Sequence, residues 1–208
     1  MKLVVLSESP EDEAAIRILV DGILGFQTEH VTPPFRASGW SQHLNVLPSV
    51  LKKLHYHTDA DALAVVVDSD ASAAHRLTHV PHDGASQGCR LCRLRLLSDQ
   101  VQNSLTEVPN RTQLRTGFGL AIPALEAWLL CGHDPRAIEA TLLQRPDAGT
   151  RTLRLQLKQD LYRTDRPSSE VRMKRATEEA RRLVQILDEL ERCFPDGFGA
   201  LARDIRSW

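Results

Sequence analysis

Two aspartates separated by one residue end the most apolar stretch of the sequence. Residues 63–67 are consecutive leucine, alanine and valine residues, and Asp68-Ser69-Asp70 follows them directly. A short, continuous apolar run rich in β-branched residues predicts a strand buried on both faces, as in a parallel sheet. Open α/β folds place ligand sites at the carboxyl edge of the sheet, and carboxylate oxygens suit Mg²⁺ or Mn²⁺. The alternative is that Asp68 caps the next helix and Asp70 is solvated.

Two glutamates hold comparable positions after other predicted strands. Residues 2–6 predict a buried strand that ends just before Glu8, and residues 116–122 predict another strand a few residues before Glu126. If these strands share one parallel sheet, both glutamates face the edge that carries Asp68 and Asp70, and all four carboxylates become candidate metal ligands. The alternative for Glu8 is a solvated loop acid.

The elements that must position these acids follow a β-α-β-α-β order. Pro10 opens a helix, residues 28–32 predict a short strand, and residues 41–57 predict a second helix before the Asp68 strand. This order predicts an α/β fold, with a parallel sheet flanked by helices over residues 1–145. The rest of the chain, 146–208, is expected to be a helical C-terminal extension that includes one long helix near residues 169–193.

A second group of candidate metal ligands lies between the acids. Cys89-Arg-Leu-Cys92 is a C-x-x-C motif, and His75, His79 and His82 precede it. Two thiolates with two of these imidazoles, taken here as His79 and His82, would complete a tetrahedral structural Zn²⁺ site. The helical leucine pattern after Cys92 and the lack of a second C-x-x-C favour the alternative, in which both cysteines are ordinary thiols.

Composition limits the classes of partner. The net charge of −1 gives no overall basic field, so nucleic-acid binding must depend on a local patch, for which Arg90, Arg93 and Arg115 are the candidates near the acids. No apolar run approaches the roughly 20 residues of a membrane span, and the expected location is the cytoplasm. The four cysteines then favour thiols or metal ligands over a disulfide framework.

Three segments also resemble a known fold. The Toprim fold pairs a glutamate after its first strand with Asp-x-Asp after a later strand, and the segments Glu8-Ser-Pro-Glu-Asp12-Glu13 and Val65-Val-Val-Asp68-Ser-Asp70 resemble these motifs. Ala121-Ile-Pro-Ala-Leu-Glu126-Ala-Trp128-Leu-Leu130 resembles the most distinctive segment of a bacterial family of small, uncharacterised Toprim-like proteins, distantly related to the Toprim part of overcoming-lysogenization-defect nucleases. The resemblance spans about residues 1–145. Ser9 replaces the glycine that usually follows the first glutamate.

The resemblance implies a divalent-metal-dependent nuclease. Glu8 would act as general acid or base, and Asp68 and Asp70 would hold Mg²⁺ for phosphodiester cleavage. It further implies nucleic acid as the substrate, and suggests a partner ATPase and a role in defence against phage. Two alternatives remain open, a catalytically silent Toprim-like module that binds a partner protein and a phosphoesterase acting on a small nucleotide.

Overall fold

The protein is a parallel β-sheet covered by helices. The computed structural model describes residues 1–31, 34–70, 72, 75–76, 79, 88–109, 111–134, 138–143 and 147–208, and of residues 147–150 the backbone alone. The strands are β1 (Lys2–Ser7), β2 (Glu29–His30), β3 (Phe35–Arg36), β4 (Ala62–Asp68) and β5 (Arg115–Ala121). The helices are α1 (Pro10–Leu24), α2 (Gly39–His57), α3 (Arg90–Gln102), α4 (Leu125–Leu129), α5 (Glu139–Leu142), α6 (Asp147–Tyr162), α7 (Ser169–Val184), α8 (Leu187–Cys193) and α9 (Phe198–Arg206).

All strand pairs in the described sheet are parallel. The order is β2-β1-β4-β5, and β3 pairs with the end of β1. Leu6 of β1 lies opposite Val65 of β4, and Asp68 lies opposite Ala121 of β5. The carboxyl ends of β1, β4 and β5 therefore meet at one edge, and the predicted α/β class is confirmed. The sequence did not predict β3, because two residues are too short to show a strand pattern.

Helix α1 begins where the predicted signals place it. The Ser9 side chain accepts a hydrogen bond from the Asp12 backbone N–H at 3.1 Å, and Pro10 occupies the first helical turn. Gly25 ends the helix with φ = 75°, a conformation that glycine adopts without strain. Because α1 starts three residues after β1, its acidic first turn lies at the carboxyl edge of the sheet.

The C-terminal helices pack on the same hydrophobic core as the sheet. Helix α7 contacts α1, and α9 contacts β5. Gly119 makes the second contact close, since a Cβ there would lie 3.0 Å from the Trp128 ring and 3.3 Å from Leu201. The predicted long helix over 169–193 is wrong: α7 and α8 are separate, because the chain leaves helical geometry at Ile186 (φ −134°, ψ 37°).

Among the described residues, no helix combines the length and the apolar character that crossing a membrane requires.

Candidate functional site

The carboxyl edge of the sheet opens into a cleft of about 410 Å³, called the acidic cleft below. Glu8 follows β1, Asp68 ends β4, and Glu126 lies in α4, directly after β5. The first turn of α1 adds further carboxylates. The acids that line the cleft are Glu8, Glu11, Asp12, Asp68, Glu126 and Asp165. The structure thus brings together Glu8, Asp68 and Glu126, whereas Asp70 does not line the cleft and reaches it only through its ion pair with Arg154.

The two aspartates of the Asp-x-Asp motif converge because the chain turns directly after β4. Asp70 has φ = 47°, in the left-handed region that Asp tolerates better than most residues, and the Ser69 N–H donates to the Ala121 carbonyl at 2.7 Å. Asp68 Oδ1 accepts the Leu125 N–H at 3.1 Å, at the start of α4. Asp68 therefore does cap a helix, although a later one than the sequence alternative named.

Two arginines bind these aspartates. Arg154 of α6 donates to Asp68 Oδ2 at 2.6 Å and also pairs with Asp70 Oδ1. Arg90 of α3 donates to Asp70 Oδ2 at 2.8 Å and to the Asp68 backbone carbonyl. Asp70 is therefore ion-paired, and the alternative in which it is merely solvated is wrong. Sequence reasoning missed Arg154, because nothing local to α6 indicates which acid it meets.

Three carboxyl groups of the acidic cleft hold their protons more tightly than isolated carboxyl groups do. Burial raises the pKa of Asp68 well above its ordinary value, and Glu126 raises it further, while Arg154 opposes the shift. Burial, then Glu126, raises the pKa of Asp12 to about 7. Burial also raises the pKa of Glu126, and Lys158, 3.7 Å away, opposes that shift. Crowded carboxylates of this kind favour either a bound proton or a nearby cation, because both reduce the repulsion between them.

The donor set fits a hard divalent ion. The described side chains around Glu8 and Asp68 offer carboxylate oxygens, which Mg²⁺ and Mn²⁺ prefer. Glu8 is half-buried and forms no ion pair with any described residue. An ion at Asp68 and Asp70 would have to take the positions that the Arg154 guanidinium holds. The cleft can therefore accept Mg²⁺ or Mn²⁺ only in competition with this arginine.

The three arginines predicted to bind nucleic acid separate into two groups. Arg90 and Arg93 lie over the Trp40 ring, 5.2 and 5.5 Å from its centroid, close to the acidic edge. Arg115 does not join them. It begins β5 opposite Ala62, at the amino edge of the sheet. The expected position of Arg115 beside the acids was wrong, because the parallel strand carries its first residue to the edge away from Asp68.

The C-x-x-C motif meets two of the predicted histidines. Cys89 lies just before α3, and Cys92 one turn into it. Their Sγ atoms lie 3.5 Å from His75 Nδ1, and Cys92 Sγ lies 3.6 Å from His79 Nδ1. One ligand atom from each of the four residues lies within 4.8 Å of all the others. This group, called the Cys/His cluster below, could bind a metal ion such as zinc. His82 lies outside the described residues.

The remaining cysteines lie elsewhere. Cys131 is fully buried and Cys193 partly so, and none of the four cysteines forms a disulfide bond. Burial, followed by the neighbouring Cys193, raises the pKa of the Cys131 thiol to about 12. Cys131 therefore belongs to the hydrophobic core, and Cys193 packs against that core.

In comparisons with known proteins, no protein-family model matches the sequence, and neither a curated protein nor a solved structure matches the chain. The Toprim resemblance accordingly stays a prediction from three short motifs.

Proposed function

We propose that the acidic cleft is the active site of a nuclease-type phosphodiester hydrolase that uses Mg²⁺ or Mn²⁺ and acts on nucleic acid. The observation that carries this proposal is that Glu8 and Asp68, which follow two adjacent parallel strands, line one cleft, with Asp70 joined to Asp68 through Arg154. Open α/β sheets bind ligands at this edge. The predicted Toprim motifs place their acids in the same relation, which supports the assignment.

The residues divide into metal-holding and proton-moving roles. Asp68, Asp70 and Glu126 would supply oxygens for the ion, which would offset charge on the phosphate and on the leaving oxygen. Glu8 follows the neighbouring strand, makes no ion pair with a described residue and can exchange a proton with water. Water adds to phosphorus, the P–O bond to the leaving oxygen breaks, and the proton from water passes through Glu8 to that oxygen.

A basic and aromatic surface beside the cleft supports nucleic acid as the substrate. The Arg93 guanidinium stacks over Trp40 and is not paired with a carboxylate among the described residues. Arg90, beside it, donates a hydrogen bond to Asp70 at the carboxyl edge of the sheet. Cationic side chains of this kind neutralise phosphates along a strand. A partner ATPase and a role in phage defence belong to the same proposal and rest on the sequence resemblance alone. The cytoplasmic location is proposed from the sequence pattern and not from the resemblance.

One observation favours a second candidate function, the catalytically silent binding module. Arg154 pairs with both aspartates, so the protein itself supplies positive charge where a metal would bind. In a silent module this pairing is permanent and only holds α6 against the sheet. In the enzyme, Arg154 leaves the aspartates when the ion binds.

A cleavage assay tests the proposal. Plasmid, single-stranded DNA, RNA and the small diester bis(p-nitrophenyl) phosphate are incubated with Mg²⁺ or Mn²⁺, and with EDTA as the control. We expect metal-dependent cleavage of at least one nucleic acid, with Asp68→Asn inactive. The matched control is Asp59→Asn, at an exposed site beside Lys2 on the opposite edge. Cleavage of the small diester alone would indicate the phosphoesterase, and no cleavage together with no calorimetric Mn²⁺ binding would indicate the silent module.

A further inference from the structure

The Cys/His cluster is built from two separate pieces of chain. His75 and His79 come from the segment after β4, whereas Cys89 and Cys92 lie at the start of α3. His75 and Cys89 are buried, with 4% and 0% of their surfaces exposed, while His79 and Cys92 are half-buried. Two thiols and two imidazoles thus face one another in a site largely closed to water.

The spacing of the donor atoms matches tetrahedral zinc. With Zn–S near 2.3 Å and Zn–N near 2.1 Å, tetrahedral angles require an S···N separation of about 3.6 Å. Three of the four S···N pairs in the cluster lie 3.5, 3.5 and 3.6 Å apart. A mixed set of sulfur and nitrogen donors also binds zinc in preference to Mg²⁺ or Ca²⁺.

Hydrogen bonds alone account poorly for this arrangement. His75 Nδ1 lies 3.5 Å from both sulfurs. A ring nitrogen carries either one hydrogen or one lone pair, so it can form a good hydrogen bond with only one of them. A cation at the centre of the four donors satisfies all the contacts at once.

We infer that His75, His79, Cys89 and Cys92 bind one Zn²⁺ as a structural site that fixes the start of α3 against the end of β4. The protein fills all four positions, so no position is open for substrate, which distinguishes a structural from a catalytic zinc site. The ligand sets of this site and of the acidic cleft share no residue.

The zinc site has a consequence for the acidic cleft through Arg90. This residue lies between the two cysteine ligands and donates to Asp70 and to the Asp68 carbonyl. His75 follows Asp70 by only five residues. Zinc would therefore link His75, five residues after Asp70, to Cys89. Arg90, the residue after Cys89, would close the loop by its hydrogen bond to Asp70. The ion makes Arg90 a positioning residue for the Asp70 turn.

Metal analysis of the full chain, purified without chelator, tests the inference. We expect about one zinc per chain. Cobalt exchanged into the site should give the thiolate-to-cobalt charge-transfer band and the intense visible bands of tetrahedral cobalt. Cys92→Ser should weaken zinc binding by more than about 100-fold, since a ligand contributes more than the outer-shell groups that change affinity 10- to 100-fold. The control Cys193→Ser replaces a partly buried thiol outside the cluster and should keep the ion.

A second measurement uses wild-type protein and so does not depend on the folding of a variant. Chelation of zinc should speed alkylation of Cys92, and should raise amide exchange in the first turn of α3 at least about tenfold, with exchange in α7 unchanged. If wild-type protein and Cys92→Ser have the same metal content and the same cobalt spectrum, the proposed zinc site is wrong. Bound zinc whose removal leaves α3 exchange unchanged would overturn its positioning role. Neither result overturns the proposed cleavage at the acidic cleft, because the two ligand sets share no residue.

Discussion

The guanidinium of Arg154 donates a hydrogen bond of 2.6 Å to the carboxylate of Asp68. The two residues are 86 positions apart, and they join α6 to the end of β4. A helix that the sequence assigns to a C-terminal extension thereby places a cation among the predicted metal ligands. Arginine and a divalent ion compete for the same oxygens, so the pair determines how the acidic cleft responds to metal.

Arg154→Ala should strengthen metal binding and lower the free energy of unfolding of the metal-free protein. Without the guanidinium, an ion need not displace a charged hydrogen bond, and Mn²⁺ affinity measured by calorimetry should rise at least about tenfold, which corresponds to 1.4 kcal/mol. Loss of a hydrogen bond to a charged group should lower the free energy of unfolding by about 1.5–3 kcal/mol in EDTA. Adding Mn²⁺ should restore much of this loss by mass action.

The matched control for this experiment is Arg151→Ala, an exposed arginine one turn earlier on α6. It should change neither Mn²⁺ affinity nor stability by more than about 0.5 kcal/mol. If Arg154→Ala destabilises the protein but no Mn²⁺ binding is measured in either variant or the wild type, the arginine is a permanent structural partner and the silent module is the better description.

Glu8→Gln should separate proton transfer from metal binding. The amide is close in shape to the carboxyl group but cannot carry the proton, so the rate of metal-dependent cleavage should fall by about 10²–10⁴-fold, the usual contribution of a general acid or base. Mn²⁺ binding should fall much less than in Asp68→Asn, because both aspartates remain. The measurement compares kcat with the calorimetric Mn²⁺ affinity of each variant. A Glu8→Gln protein that cleaves at the wild-type rate would remove Glu8 from the mechanism.

Strands β1, β4 and β5, and the acids that follow them, could be predicted from the sequence because their signals are local. The apolar run before Asp68 and the Ser9-Pro10 helix start depend on neighbouring residues only, and the structure places β4 and α1 as these signals indicate. The parallel order then follows from the alternation of strand and helix. Asp68 and Glu8 therefore reach one edge as expected.

The partners of these acids could not be predicted, because they depend on how distant helices dock. The spacing of Arg154 and Lys158 places both on one face of α6, but the same pattern suits a solvated face. The predicted position of Arg115 was wrong for a related reason. A residue can be close to a predicted strand in the sequence and still lie at the end of that strand away from the acids. For the Cys/His cluster, the C-x-x-C motif predicted two of its members, while the inclusion of His75 depends on the path of the chain after β4.

Gly197 and Gly199 offer a test of the close packing around α9. A Cβ at Gly197 would overlap the Leu120 carbonyl oxygen and lie 2.9 Å from Glu139 Oε1. Gly197→Ala should therefore lower the free energy of unfolding by about 1–3 kcal/mol, as overpacking does. At Gly199 the nearest atom is 3.3 Å away, on the flexible Arg203 side chain. Gly199→Ala should be neutral or stabilise the helix by up to about 1 kcal/mol. Equal urea-unfolding midpoints for the two variants would contradict this packing.

Glu139 should make stability depend on pH. The residue is 2% exposed, its Oε2 accepts the Asp196 N–H at 2.8 Å, and burial raises its pKa from 4.5 to about 7. The folded protein therefore favours the protonated form. The stabilising contribution of protonated Glu139 is complete below pH 4.5 and is lost as the pH rises through about 7. This loss lowers the free energy of unfolding by about 3 kcal/mol.

Glu139→Gln should remove this dependence. The amide oxygen can still accept the Asp196 N–H, and no charge is buried at high pH, so the variant should be more stable than wild type at pH 8 by up to about 3 kcal/mol. At pH 4 the two proteins should be nearly equal. Urea unfolding at both pH values measures the difference, with the exposed Glu170→Gln of α7 as the control. A constant difference between Glu139→Gln and wild type at both pH values would show that Glu139 does not titrate in this range, since only a change in its charge can make the difference vary with pH.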